Sequence, residues 1–189
     1  MGLLRQDEMV DRKIVQLALL QGGAVRRVEL LRAGVTPKMM AHAVESSQIA
    51  LFPRGVYAVT GTPSWWIDAR RRGAELGCIS AAVTRGLWVV SKPEKWHVCA
   101  PNSRISGPFI RHRSRGRPSV LDVVLQCLRC LPEREAFAVA ESSVVLRQLT
   151  LAQLRAATLG RNKCQNQRDC CPNQPGVRVN FGNGGPLRT

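Results

Sequence analysis

Residues 22–61, GGAVRRVELLRAGVTPKMMAHAVESSQIALFPRGVYAVTG, constrain the fold of this chain more than any other stretch. Arg26 to Arg32 reads as a short helix with Val28 and Leu31 inward, and Ala33-Gly34-Val35 as a tight turn. Thr36 followed by Pro37 starts the next helix. A threonine hydroxyl accepts from the free N–H groups of a first turn, and the fixed φ of proline suits the first helical position. That helix runs to about Ser46, with Met39, Met40, Ala43 and Val44 facing a core and Lys38, His42 and Glu45 facing outward. Ile49 to Phe52 and Val56 to Thr60 read as strands joined by the turn Pro53-Arg54-Gly55. Residues 7–20 supply a preceding helix, with Val10, Ile14, Leu17 and Ala18 at helical spacing, Asp7 as cap and Gly22-Gly23 as stop. Helix, helix, turn, helix, hairpin is the order of a winged helix-turn-helix.

Charge narrows the partner. The 189 residues carry 28 Lys+Arg against 13 Asp+Glu, a net charge of +15. Such an excess favours a polyanion through counterion release. No basic amphipathic helix adjoins an apolar anchor, no stretch approaches a membrane span, and MGLLRQDEMVDRK lacks the apolar core of a signal peptide. Gln6 also breaks the myristoylation pattern of a Met-Gly start. Seven cysteines in an irregular set suit a reducing compartment. The expectation is a cytoplasmic protein that does not engage membranes.

Beyond Thr62-Pro63 the pattern continues as helices at 64–76 and 79–85, strands at 88–91, 96–99 and 109–112, and helices at 119–131, 133–145 and 150–157. After Arg161, RNKCQNQRDCCPNQPGVRVNFGNGGPLRT is rich in Asn, Gln, Gly, Pro and Cys and has almost no apolar periodicity. The expected fold class is α+β: a winged helix-turn-helix over 1–62, a small mixed α/β domain over 63–161, and a disordered tail over 162–189.

The helix 36–46 is the candidate recognition helix. The early part of such a helix reaches base edges in the major groove, where Lys38 can donate to guanine or phosphate and His42 can donate one hydrogen bond. Arg54 sits at the tip of the wing, and Gly55 beside it allows close approach to a phosphate. Tyr57 shares a strand face with Val59 and reads as a packing residue. Arg70-Arg71-Arg72 fan over about 200° of helix surface and read as a solvated face. Arg111 and Arg113 point to one side of a strand and, with Arg115 and Arg117, form a second basic set. Arg115-Gly116-Arg117-Pro118 resembles the centre of an AT-hook, in which an extended backbone lies in a narrow minor groove.

Catalysis and cofactors find no support. No phosphate-binding Gly loop is present, Ser, His and acidic residues follow no motif, and the acids are spread singly rather than clustered as nuclease metals require. Cys127 and Cys130 lie inside the apolar helical stretch VVLQCLRCL, where buried cysteine is common. Cys164, Cys170 and Cys171 complete a four-ligand set only if the tail folds back, and the spacing matches no zinc module. The expectation is no enzyme, no cofactor and no metal.

With these segments in view, the chain resembles the AbiEi-type antitoxin family over roughly residues 8–161. ELLRAGVTPKMMAHAV looks like the family's turn and third helix and RGVYAV like its wing signature. SAAVTRGLW, KWHVCAP, FIRHRS and VLDVVLQCLRCLPEREAFAVAESSVVLRQLTLAQLRAA follow in the family's order. The resemblance implies a winged-helix domain joined to a mixed second domain, repression of the protein's own promoter in a toxin–antitoxin or phage-defence module, and a nucleotidyltransferase-type toxin as functional partner. It carries Lys38, His42 and Arg54 over as DNA contacts. Many related proteins continue into a Vsr-like nuclease domain, in whose place this chain has the unpatterned tail. Two alternatives therefore stand beside the antitoxin reading: a truncated or split relative of a Vsr-like endonuclease that retains DNA binding, and a protein-interaction module.

Overall fold

The computed structural model describes residues 6–101, 105–114 and 116–159, with the side chains of 6–11 excluded. Cys164, Cys170, Cys171 and the whole tail over 162–189 lie outside the described residues. The fold is mixed α and β, with eight helices and two three-stranded sheets among the described residues. No helix among them is long and apolar enough to cross a membrane.

The N-terminal elements are α1 (Gln6–Leu19), β1 (Ala24–Arg26), α2 (Arg27–Arg32), α3 (Pro37–Glu45), β2 (Ala50–Phe52) and β3 (Val56–Ala58). Their sheet is antiparallel in the order β1-β3-β2, so Tyr57 faces Val25 on one side and Leu51 on the other. The Thr36 hydroxyl accepts from the Met39 N–H at 3.3 Å, with Pro37 opening α3. Ile14, Ala18, Val25, Leu30, Val35, Met40, Ala43, Ile49 and Tyr57 form one buried cluster under the three helices.

The remaining elements are α4 (Ser64–Arg71), β4 (Glu75–Leu76), α5 (Cys78–Thr84), β5 (Trp96–Ala100), β6 (Phe109–Arg113), α6 (Val120–Cys130), α7 (Glu133–Val145) and α8 (Leu151–Leu159). The second sheet runs β4-β5-β6, antiparallel for β4–β5 and parallel for β5–β6, with Cys99 opposite His112. Ser119 and Asp122 cap α6 reciprocally: Ser119 Oγ accepts from the Asp122 N–H at 3.1 Å and Asp122 Oδ2 from the Ser119 N–H at 3.0 Å.

Both halves share a core. Ala24, Val56 and Ala58 of the first sheet pack in one cluster with Trp66, Leu76, Ile79, Val98, Val123 and Val139. The Trp66 Nε1–H donates to the Gln21 carbonyl at 3.0 Å, and Trp66 and Trp96 rings meet at 5.4 Å. Beside them lies a buried ion network. Arg70 donates through Nη1 to Glu75 Oε2 at 2.6 Å, through Nε to the Ala24 carbonyl at 3.2 Å and through Nη2 to Glu29, and Arg26 bonds both Glu29 and Glu75.

Four expectations are corrected. Arg70 is not on a solvated face but fully buried, because α4 turns that residue toward the carboxylates of Glu29 and Glu75. Val28 and Leu31 are exposed, at 42% and 45%, while Leu30 is buried. The Arg70–Glu29 pair holds Glu29 inward and so sets the inner face of α2. The helix expected over 64–76 stops at Arg71: Gly73 takes φ 87°, Ala74 N–H reaches the Ala69 carbonyl and Gly73 N–H that of Arg70, a Schellman stop that releases Glu75 and Leu76 into β4. Residues 88–91 form no strand. The Trp88 N–H donates instead to Ser142 Oγ of α7 at 3.0 Å.

Candidate nucleic-acid interface and a buried cysteine–histidine cluster

Lys38, His42 and Glu45 are exposed on one side of α3, while Met40 and Ala43 are buried on the other. This division follows from a helix whose apolar side chains recur at three- to four-residue intervals. The hairpin turn places Arg54 and Gly55 both in the left-handed region, at φ 64° and 68°. Glycine accepts that conformation without cost, and arginine does not. Arg54 is exposed at the tip. The Arg27 N–H donates to the Gly55 carbonyl at 2.7 Å, which sets a second exposed arginine at the base of the turn. Sequence reasoning missed Arg27, because only the β1–β3 pairing brings α2 beside the hairpin.

The other basic residues fall elsewhere. Arg111 and Arg113 are exposed on β6, an edge strand, and His112 between them is buried on the opposite face. Arg115 lies outside the described residues. Arg117 lines an open cleft of about 280 Å³ with Arg32 of α2 and Arg85, the C-cap of α5. Burial, then the positive charge of Arg117, lowers the pKa of Arg85. The segment 116–118 is not the extended strand of an AT-hook. Gly116 takes φ 80°, and Pro118 is buried with its carbonyl accepting from Arg85.

The second cluster is one the sequence did not reveal. Cys78, His97, His112 and Cys130, all buried, bring one donor atom each to within 4.8 Å of one another. His97 comes from β5 and His112 from β6. The parallel pairing aligns His97 with Ile110 and Cys99 with His112, so both imidazoles project from one face of the sheet. Cys78 opens α5 and Cys130 closes α6. His97 Nδ1 and His112 Nε2 are 3.0 Å apart, and Cys130 Sγ lies 3.7 Å from His97 Nδ1.

The surroundings favour the neutral forms of the two imidazoles and of the Cys78 thiol. Burial lowers His97 to about 4, and burial with the neighbouring His97 lowers His112 to about 4. A hydrogen bond with Cys127, partly offset by one with Cys130, and then burial push the Cys78 thiol far up. Cys127, one helical turn before Cys130, hydrogen-bonds Cys78, whereas Cys130 is a member of the four-residue cluster.

No protein-family model matches the chain, and no curated protein matches it.

Proposed function

We propose that this chain is a DNA-binding repressor of the AbiEi antitoxin type, and that residues 6–62 act as a winged helix-turn-helix. The observation that carries the reading is α3: a helix capped by Thr36, set on a buried core by Met40 and Ala43, that offers Lys38 and His42 to solvent. The element order α1-β1-α2-α3-β2-β3 and the sheet order β1-β3-β2 support it, as does the net charge of +15. In this reading α3 docks in the major groove, with Lys38 and His42 at base edges. Arg54 and Arg27 flank the wing and meet phosphates, which fix orientation without reading sequence. Arg111, Arg113 and Arg117 add charge along the second domain. The target is double-stranded DNA upstream of the protein's own gene, and the functional partner is a nucleotidyltransferase-type toxin.

The deciding experiment is binding of the purified chain to its own upstream DNA and to a scrambled duplex across a salt series. A preference of about 10³-fold or more for the upstream DNA is expected of an autorepressor. Equal, steeply salt-dependent binding to both would reduce the protein to a non-specific DNA coat. Absence of binding at low salt would overturn the reading and leave a protein-interaction module.

A further inference from the structure

We propose that Cys78, His97, His112 and Cys130 form a structural zinc site. The site stands whether or not the chain binds DNA. Zinc takes thiolate at about 2.3 Å and imidazole nitrogen at about 2.0–2.1 Å in a tetrahedron, which sets ligand atoms about 3.3–3.8 Å apart. The observed 3.7 Å between Cys130 Sγ and His97 Nδ1 falls in that range, and the 3.0 Å between the two imidazole nitrogens needs only a few tenths of an ångström of opening. All four donors already lie within 4.8 Å of one another. The donor set itself selects the ion. Magnesium and calcium take oxygen ligands, whereas two thiolates and two imidazoles in a tetrahedron suit zinc.

Electrostatics agree. Two thiolates, two neutral imidazoles and one divalent cation sum to zero, so the centre can be buried without an unpaired charge. Binding requires the thiol protons of Cys78 and Cys130 to leave, and the imidazole protons to sit on His97 Nε2 and His112 Nδ1, away from the ion.

The scaffold aims these groups. Cys78 holds φ 46°, a left-handed conformation that costs a non-glycine residue energy and is sustained by its surroundings. Its N–H donates to Gln126 Oε1 at 2.7 Å, and the His97 N–H donates to Ser80 Oγ at 2.9 Å. Gly77 is required beside it, because a Cβ there would stand 2.5 Å from Cys99 Sγ. Four protein ligands fill the coordination sphere and all are buried, so the ion has no open position for a substrate. Its effect is to tie α5, β5, β6 and α6 at one point.

The test uses the full-length chain. Elemental analysis of protein purified without a metal-affinity step should find about one zinc per chain. Replacement by Co(II) should give the visible d–d absorption of a tetrahedral site together with sulfur-to-cobalt charge transfer. Cys130→Ser and Cys78→Ser should each lose the stoichiometric metal. Cys127→Ser, and the triple variant Cys164→Ser/Cys170→Ser/Cys171→Ser, should keep it. A wild-type chain that takes up neither zinc nor cobalt, or gives cobalt no tetrahedral spectrum, overturns the proposal without reliance on any variant. Loss of metal in the triple tail variant but not in Cys78→Ser also overturns it, and moves the site to the tail.

Discussion

Arg70 Nη1 lies 2.6 Å from Glu75 Oε2, and the two side chains are 0% and 1% exposed. The pair is one edge of a network in which Arg70 also meets Glu29, and Arg26 meets both acids. Glu29 belongs to α2, and Arg70 and Glu75 to α4 and β4, so the network joins the two halves of the molecule where their shared core begins. Removing one partner of a buried ion pair strands the others in a medium that solvates charge poorly.

Arg70→Ala is therefore expected to destabilise the fold by about 3–5 kcal/mol. Arg72 sits two residues on and pairs with Asp68 at 3.0 Å, but these side chains are 47% and 49% exposed. Arg72→Ala should cost less than about 1 kcal/mol. Urea unfolding of the two variants provides the check. Equal losses would mean that the buried network contributes no more than a surface pair.

The same network makes stability depend on pH. Burial works to raise the carboxyl pKa of Glu29, but the charge of Arg70 and the hydrogen bond from the Arg26 N–H outweigh it, and the net shift is downward from 4.5. A carboxyl depressed in the folded state binds fewer protons there than in the unfolded chain. Its stabilisation is complete above the unfolded value and is lost as pH falls through the folded one. The urea midpoint should hold steady above about pH 5 and decline below about 4.5. Glu29→Gln should be less stable near neutrality and should show a shallower decline. An unchanged slope in that variant would remove Glu29 from the acid response.

These residues also show where sequence reasoning reaches its limit. Two helices were legible: Thr36-Pro37 marked the start of α3, because the capping group lies within three residues of what it caps, and the apolar helical stretch VVLQCLRCL marked α6. β1 and β4, at three and two residues, are too short for an alternating pattern to register. Arg70 looked equivalent to Arg71 and Arg72, since nothing local says that α4 aims only one of them at Glu29 and Glu75. The exposed sides of α3 and β6 were readable from alternation, which is why Lys38, His42, Arg111 and Arg113 lie outward as expected. The cysteine–histidine cluster was not readable. Its members come from four elements, and parallel pairing of β5 with β6 creates the proximity that their spacing conceals.

The β2–β3 turn permits a test that separates charge from backbone geometry. Arg54 occupies φ 64°, where glycine is relieved of about 1 kcal/mol of steric cost. Arg54→Gly should leave the thermal midpoint unchanged or slightly raised, whereas Arg54→Ala keeps the strain. Both remove the charge, and both should flatten the salt slope of DNA binding by about one unit on every sequence. A slope that survives both substitutions would place the hairpin tip away from phosphate.

Lys38 distinguishes reading from mere attraction. It is exposed in the first turn of α3, one residue after Pro37. If its ammonium donates to a base edge, Lys38→Ala should weaken binding to the upstream DNA by about 1–3 kcal/mol and leave binding to a scrambled duplex nearly unchanged. If it meets only phosphate, both duplexes should lose affinity alike and the salt slope should fall by about one unit. Because the Thr36 cap and the buried Met40 and Ala43 hold α3 without help from Lys38, the substitution should not disturb the fold. A change in the unfolding free energy from urea titration beyond about 0.5 kcal/mol would show instead that the side chain has a packing role.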